Sequence, residues 1–252
     1  VVLSFLMSSG YIVSHAEKFL ISTHTRAQST FKEVLPIPHG SLTQHWTAFF
    51  QGEPCPAELT DSLASFVPFI PTTDQSRSHW MASWSEIEIG FRLVPIVLAL
   101  QRAGWTQEWS KTGQPEKAHS EILQSDAGKA ACHLLNLGGV IVDSESQELS
   151  TIGKRVLERG PGPFGIIEAY HPYMTHLRDI LQAGRGKIHV SRTANVAASQ
   201  LANSRSFEQA NNSLDRFCDD TGFEYRVYIE HALGRGEATR QRFERDGYDR
   251  IY

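Results

Sequence analysis

Glu230, Gly234, Gly236 and Thr239 form the one stretch of this chain with the pattern of a ligand-binding turn. They lie in Val227-Tyr228-Ile229-Glu230-His231-Ala232-Leu233-Gly234-Arg235-Gly236-Glu237-Ala238-Thr239. The run is β-branched and aromatic, then acidic, then Gly-x-Gly, then helix-forming. A strand that enters a helix through glycines lets a ligand approach the backbone and aims the helix's free N–H groups at it. A dinucleotide fits poorly. Reading G-x-G-x-x-G from Gly234 puts Thr239 at the third position. Reading from residue 232 puts Ala232, Gly234 and Glu237 there, and Glu237 would bring negative charge to the pyrophosphate.

S-adenosylmethionine carries no phosphate. It brings a sulfonium, an ammonium and a carboxylate, and an acidic residue at the strand end suits the positive groups. The stretch resembles the first motif of class I S-adenosylmethionine-dependent methyltransferases, a hydrophobic strand followed by E/D-x-G-x-G-x-G, with Ala232 in place of the first glycine. The resemblance implies that Glu230 lies beside the methionine end of the cofactor. It makes Ala232, Gly234 and Gly236 the turn, and Thr239 the start of the next helix. His231 is expected to pack beneath the turn and Arg235 to be solvated. A Gly-x-Gly pair alone also serves as a structural turn in other α/β domains. No metal is expected, since Cys55, Cys132 and Cys218 are far apart and form no CxxC or Cys/His cluster.

The elements that must position this turn are legible around it. Ser206 and Gln209 form a capping box opening a helix whose expected buried face is Phe207, Ala210, Leu214 and Phe217. Thr221-Gly222 closes that helix, and Tyr225–Ile229 is the strand. A helix over Ala238–Arg245 ends at Gly247, and Tyr248–Tyr252 begins a second strand. The acidic residue that would hold the ribose is expected about 20 residues past the glycines, beyond Tyr252. The cofactor domain is therefore expected to be C-terminally truncated, with this chain inactive alone and binding cofactor weakly or not at all.

Upstream, Ile89, Leu93, Ile96, Val97 and Leu100 recur at helical spacing over Glu86–Arg102, with Pro95 a kink and Gly104 a stop. Ser125 caps a helix ending at Gly138-Gly139. Extended Val140–Val142, a polar turn over Asp143–Gln147, Leu149–Thr151 and a helix over Ile152–Leu157 follow. Together they predict a winged-helix unit over about Glu86–Arg159. Gly160–Gly165 reads as a hinge, Ile166–Leu181 as a helix bent at Pro172, Lys187–Val190 as a strand, and Ala194–Ala202 as helical. Pro54, Pro56, Pro68 and Pro71 break residues 41–73 into short helices and loops. Apolar Val1–Met7 is too short to span a bilayer and reads as a frayed terminus or a start-site artefact. The expected fold is a mainly α N-terminal domain with a winged-helix unit, followed by the start of a Rossmann-like α/β methyltransferase domain. Its divisions are an irregular helical region over 1–84, a winged-helix-like dimerisation and substrate-capping region over 85–205, and the incomplete cofactor domain over 206–252.

This layout resembles small-molecule methyltransferases with a dimerising first domain. Within that group, Gly160–Leu177, Ala194–Ala202 and Ile229–Arg242 resemble bacterial enzymes similar to 2-ketoarginine methyltransferase. The resemblance implies a homodimer that methylates carbon beside the ketone of a small 2-oxo acid. His171 and His176 are then candidate general bases, because imidazole titrates near neutral pH. The commoner role of such a histidine is at the helix surface or in a satisfied core, and the same holds for Tyr170 and Tyr173. With 40% hydrophobic and 21% charged residues and a net charge of −4, the chain has the composition of a soluble globular protein. The cysteine usage fits a cytoplasmic setting. The rival readings are a DNA-binding winged-helix regulator and a dimerisation or interaction module without catalysis. Between Ser85 and Gly160 stand eight Lys or Arg against ten Asp or Glu. A DNA-reading wing should be basic, so nucleic acid is not an expected partner.

Overall fold

The computed structural model describes residues 2–9, 11–21, 39–56, 59, 84–184, 186, 188–189, 191–231 and 234–246. Among these the chain is mainly helical, and its only sheet is a two-stranded hairpin. Two units divide at Lys154 and Arg155.

The first unit opens with α1 (Val2–Ser8) and a hairpin of β1 (Ile12–His15) and β2 (Lys18–Ile21), in which His15 pairs with Lys18. Its two-residue turn places Ala16 and Glu17 at φ +47° and +61°. Such a turn normally carries Asn-Gly or Asp-Gly, which is why nothing in the sequence announced it. Then come α2 (His39–Phe50), α3 (Trp84–Arg102), α4 (Thr106–Thr112), α5 (Lys117–Leu123) and α6 (Asp126–Leu137). Helix α2 packs on α3, and its Trp46 stacks on Phe50 at 5.7 Å while Phe50 meets Trp105 at 4.9 Å. Ile96, Val97, Leu100, Leu134 and Leu135 complete an apolar interior. Trp109 is also buried there and donates from Nε1 to the carbonyl of Gln147 at 3.3 Å. Ser125 caps α6 as expected, accepting from the N–H of Gly128 at 3.2 Å. The expected wing contracts to one antiparallel bridge between Ile141 and Leu149. Helix α7 (Thr151–Arg159) follows, and the boundary between the units falls within it.

The second unit continues with α8 (Pro161–Thr175), α9 (Leu177–Ala183), α10 (Arg192–Thr221) and α11 (Glu237–Asp246). The expected hinge at Gly160–Gly165 is instead the first turn of α8, with Pro161 where a missing N–H does no harm. Its glycines serve close packing. A Cβ on Gly162 would meet the backbone of Ala202 at 2.4 Å, and one on Gly165 would meet the Cβ of Ala198 at 2.9 Å. These contacts run α8 antiparallel along α10. The expected helix over Ile166–Leu181 breaks at His176 into α8 and α9, one turn after Pro172. Ile188 and His189 are not in a strand, and Lys187 and Val190 lie outside the described residues.

The boundary expected at Arg205 lies within a single 30-residue helix, α10. Its cap is Ser191, which accepts from the N–H of Ala194 at 3.3 Å, and Ser206 is an exposed mid-helix residue. No glycine or proline stands between Arg192 and Thr221, so nothing in the chain stops the helix at the capping-box pattern. The face expected to be buried is also different. Phe207 and Leu214 are half-buried, Ala210 and Phe217 are exposed, and the fully buried residues of α10 are Ala198 and Asn211.

Candidate functional site

Between α10 and α11, residues 223–230 are irregular with a bend at Arg226, and the chain then turns. Tyr225–Ile229 forms no strand ladder among the described residues. Tyr228 alone pairs as an isolated bridge, and the expected second strand, Tyr248–Tyr252, lies outside the described residues. A ladder needs a neighbouring chain for its N–H and C=O groups, which side-chain type alone does not supply.

The turn is built on two glycines. Gly234 and Gly236 take φ +60° and +76°, a region that other residues enter only with strain. Gly234 is doubly constrained, since a Cβ there would lie 2.8 Å from Gln200 Nε2 and 3.3 Å from Val196 Cγ1 on α10. Gly236 then starts α11, its carbonyl accepting from the N–H of Arg240 at 2.8 Å. Ala232, expected as the first small residue of the turn, lies outside the described residues together with Leu233.

Glu230, half-buried, reaches back across the turn to α11. Thr239 donates to its Oε2 from both the backbone N–H, at 2.8 Å, and Oγ1, at 2.6 Å. The carboxylate thus satisfies one of the orphan donors of a helix N-terminus and sits where the helix dipole favours negative charge. Thr239 lies in the first turn of α11, whose first residue is Glu237. Burial, followed by the charge of Glu230 and opposed by that of Arg242, raises the pKa of the neighbouring Tyr228 phenol. His231 and Arg235 are both exposed, so His231 does not pack beneath the turn.

A polar clamp fixes α11 alongside α10. Asn211 is buried and donates from Nδ2 to the carbonyl of Ala238 at 3.2 Å. The wholly buried guanidinium of Arg242 donates from Nε to Asn211 Oδ1 at 3.2 Å, from Nη2 to the Asn211 carbonyl at 2.9 Å, and from Nη1 to Asp215. Arg245 donates to the other Asp215 oxygen at 2.5 Å, and Gln241 donates to the carbonyl of Ser204 at 3.2 Å. Burial pushes the Asp215 carboxyl up, but hydrogen bonds from Arg242 and Arg245, then their charges, outweigh it and hold its pKa below the ordinary value. Positions 238, 241, 242 and 245 of α11 thus meet 211, 204, 211–215 and 215 of α10, which docks the one helix on the other.

The candidate bases stand on another element. His171 is half-buried on α8, where burial, partly offset by the charge of Glu168, lowers its pKa below 6.5. His176 is exposed at the α8–α9 break, its Nδ1 lying 3.5 Å from Asp179 Oδ2. The structure brings together Glu230, Gly234, Gly236 and Thr239, and leaves the histidines on the α8–α9 arm. An open cleft of about 530 Å³ lies at the C-terminal end of α10, lined by residues that include Asp215, Phe223, Glu224, Tyr225 and Arg245; none of the described turn residues lines it. Among the described residues no three His, Cys, Asp or Glu side chains converge to hold a metal. No helix among them is long and apolar enough to cross a membrane.

The sequence reading missed Asn211, Asp215 and Arg242, and it missed the pairing of Thr239 with Glu230. An asparagine within the apolar repeat of α10 was the available signal, because a buried amide demands partners. Comparison of the chain with protein-family profiles, characterised proteins and solved structures yields no match.

Proposed function

We propose that Glu230 to Thr239 is the cofactor turn of an S-adenosylmethionine-dependent methyl transfer to a small molecule. The observation that carries this reading is the turn itself. A carboxylate pinned at the start of α11 is followed by two left-handed glycines that turn the chain into the helix. The residues fit the group. Thr239 occupies Glu230 Oε2 and leaves Oε1 to accept from an ammonium, while the exposed backbone at Gly234 can lie against a ligand. Glu230, Ala232, Gly234 and Gly236 would hold the cofactor, which when bound supplies an electrophilic methyl group on sulfur.

In this reading α10, the segment after it and α11 open a Rossmann-like domain, and α6, the Ile141–Leu149 bridge and α7 make a winged-helix-like unit used for dimerisation. The substrate is a small 2-oxo acid such as 2-ketoarginine, methylated on the carbon beside its ketone. Burial favours neutral His171, the form that accepts the proton from that carbon. His176 is the alternative base.

Saturation-transfer NMR, which registers weak binding, tests the reading on the 252-residue chain. Signal is expected at the protons of S-adenosylmethionine. Glu230→Gln, which keeps an acceptor for Thr239 but removes the charge, should weaken binding about tenfold. Absence of transfer with the unaltered chain would sink the proposal.

A further inference from the structure

We infer that Thr239 is a positioning residue that sets the plane of the Glu230 carboxylate and thereby gives the turn its preference for ligands bearing an ammonium group; this rests on the cofactor reading above. The last torsion of a glutamate is broad, so an unheld carboxylate on an irregular segment turns freely. Here two donors from one residue converge on one oxygen, at 2.8 and 2.6 Å. The backbone N–H is fixed by α11, and the hydroxyl is held by a β-branched side chain of restricted rotation. Oε2 is thereby engaged and the direction of Oε1 follows. The hydroxyl supplies what the helix N–H alone does not, a second point that stops rotation of the carboxylate about the first hydrogen bond. Both hydrogens come from the first turn of α11, so the orientation of Glu230 is tied to the helix that Asn211 and Arg242 dock on α10. No other described residue hydrogen-bonds to the Glu230 carboxylate, so Thr239 alone performs this task among the described residues.

The inference predicts selectivity as well as affinity. NMR titrations of the 252-residue chain with S-adenosylmethionine and with 5′-methylthioadenosine, which lacks the amino-acid end, separate the two. Thr239→Val should weaken S-adenosylmethionine about tenfold and leave methylthioadenosine unchanged, and Thr239→Ser should restore the original ratio. Equal losses for both ligands would make Thr239 a helix cap only, and no loss for either would make its hydroxyl irrelevant; each overturns the inference. An unaltered chain that binds both ligands equally overturns it too, leaving a nucleoside site. An unaltered chain that binds neither removes the cofactor reading itself. Should circular dichroism show that Thr239→Val unfolds the chain, Thr239→Ala carries the same comparison.

Discussion

The two units hold their helices together by different physics. The first is organised around aromatic and aliphatic side chains, with Trp46, Phe50, Trp105 and Trp109 buried among leucines and isoleucines. The second joins α8 to α10 through glycines and alanines, and α11 to α10 through Asn211, Asp215 and Arg242. Apolar burial is non-directional and tolerates pH, whereas a hydrogen-bonded clamp is directional and depends on the charge of Asp215. The contrast matters for the proposed function, because a turn that orients Glu230 gains more from a directional clamp than from a greasy contact.

Substitutions in each unit put this contrast to the test. The largest effect is expected in the first unit, where Trp109→Ala should destabilise by about 4 kcal/mol through cavity formation and loss of the bond to Gln147. All five tryptophans lie at or before residue 109, so their fluorescence in a urea titration reports on the first unit and should show the shift. Next, Asn211→Leu should destabilise the docking of α11 by about 3 kcal/mol, since it strands Arg242 Nε and the Ala238 carbonyl. Hydrogen exchange of α11 amides measures it, and protection equal to that of the unaltered chain would refute the clamp.

Acid should separate the units by mechanism. The folded-state pKa of Asp215 is lowered, so its contribution is fully present above the ordinary value of 3.8 and is lost as pH falls through the lower folded-state value. Amide exchange in α10 and α11 should therefore accelerate in that range, and Asp215→Asn should be slower to respond to acid. Gly234→Ala is expected to destabilise by about 1 kcal/mol, because φ is positive and Gln200 must move; thermal melting followed by circular dichroism checks it. The smallest effect is that of His171, whose lowered pKa disfavours the protonated form in the fold. Stability should rise with pH through about 6.5 and decline slightly below it. His171→Gln should flatten that slope in the same melts.

The helices of this chain were written in local pattern. Ser125, the apolar repeat of Glu86–Arg102 and Gly222 mark starts, faces and ends that the structure reproduces. Local pattern also misled. Ser206 and Gln209 have the spacing of a capping box, yet they sit inside α10, because a cap requires the helix to be broken before it and nothing breaks this one. Gly160–Gly165 looked like a hinge because glycine permits many conformations, whereas its use here is the absence of a Cβ against Ala198 and Ala202.

The residue types of the candidate turn, Glu230 and the glycines at 234 and 236, are legible in the sequence, as are the end of α10 at Gly222 and the helix that follows the turn. That Glu230 reaches Thr239 nine residues on, and that α11 docks on α10 through a buried arginine, follows from tertiary contacts. Helix caps and turns depend on neighbours within a few residues, so local sequence encodes them wherever the surrounding chain lets a helix start or stop there. The clamp joins positions up to 31 residues apart, and it must offset the cost of taking the Arg242 charge out of water with aligned hydrogen bonds to partners that no local stretch of sequence supplies.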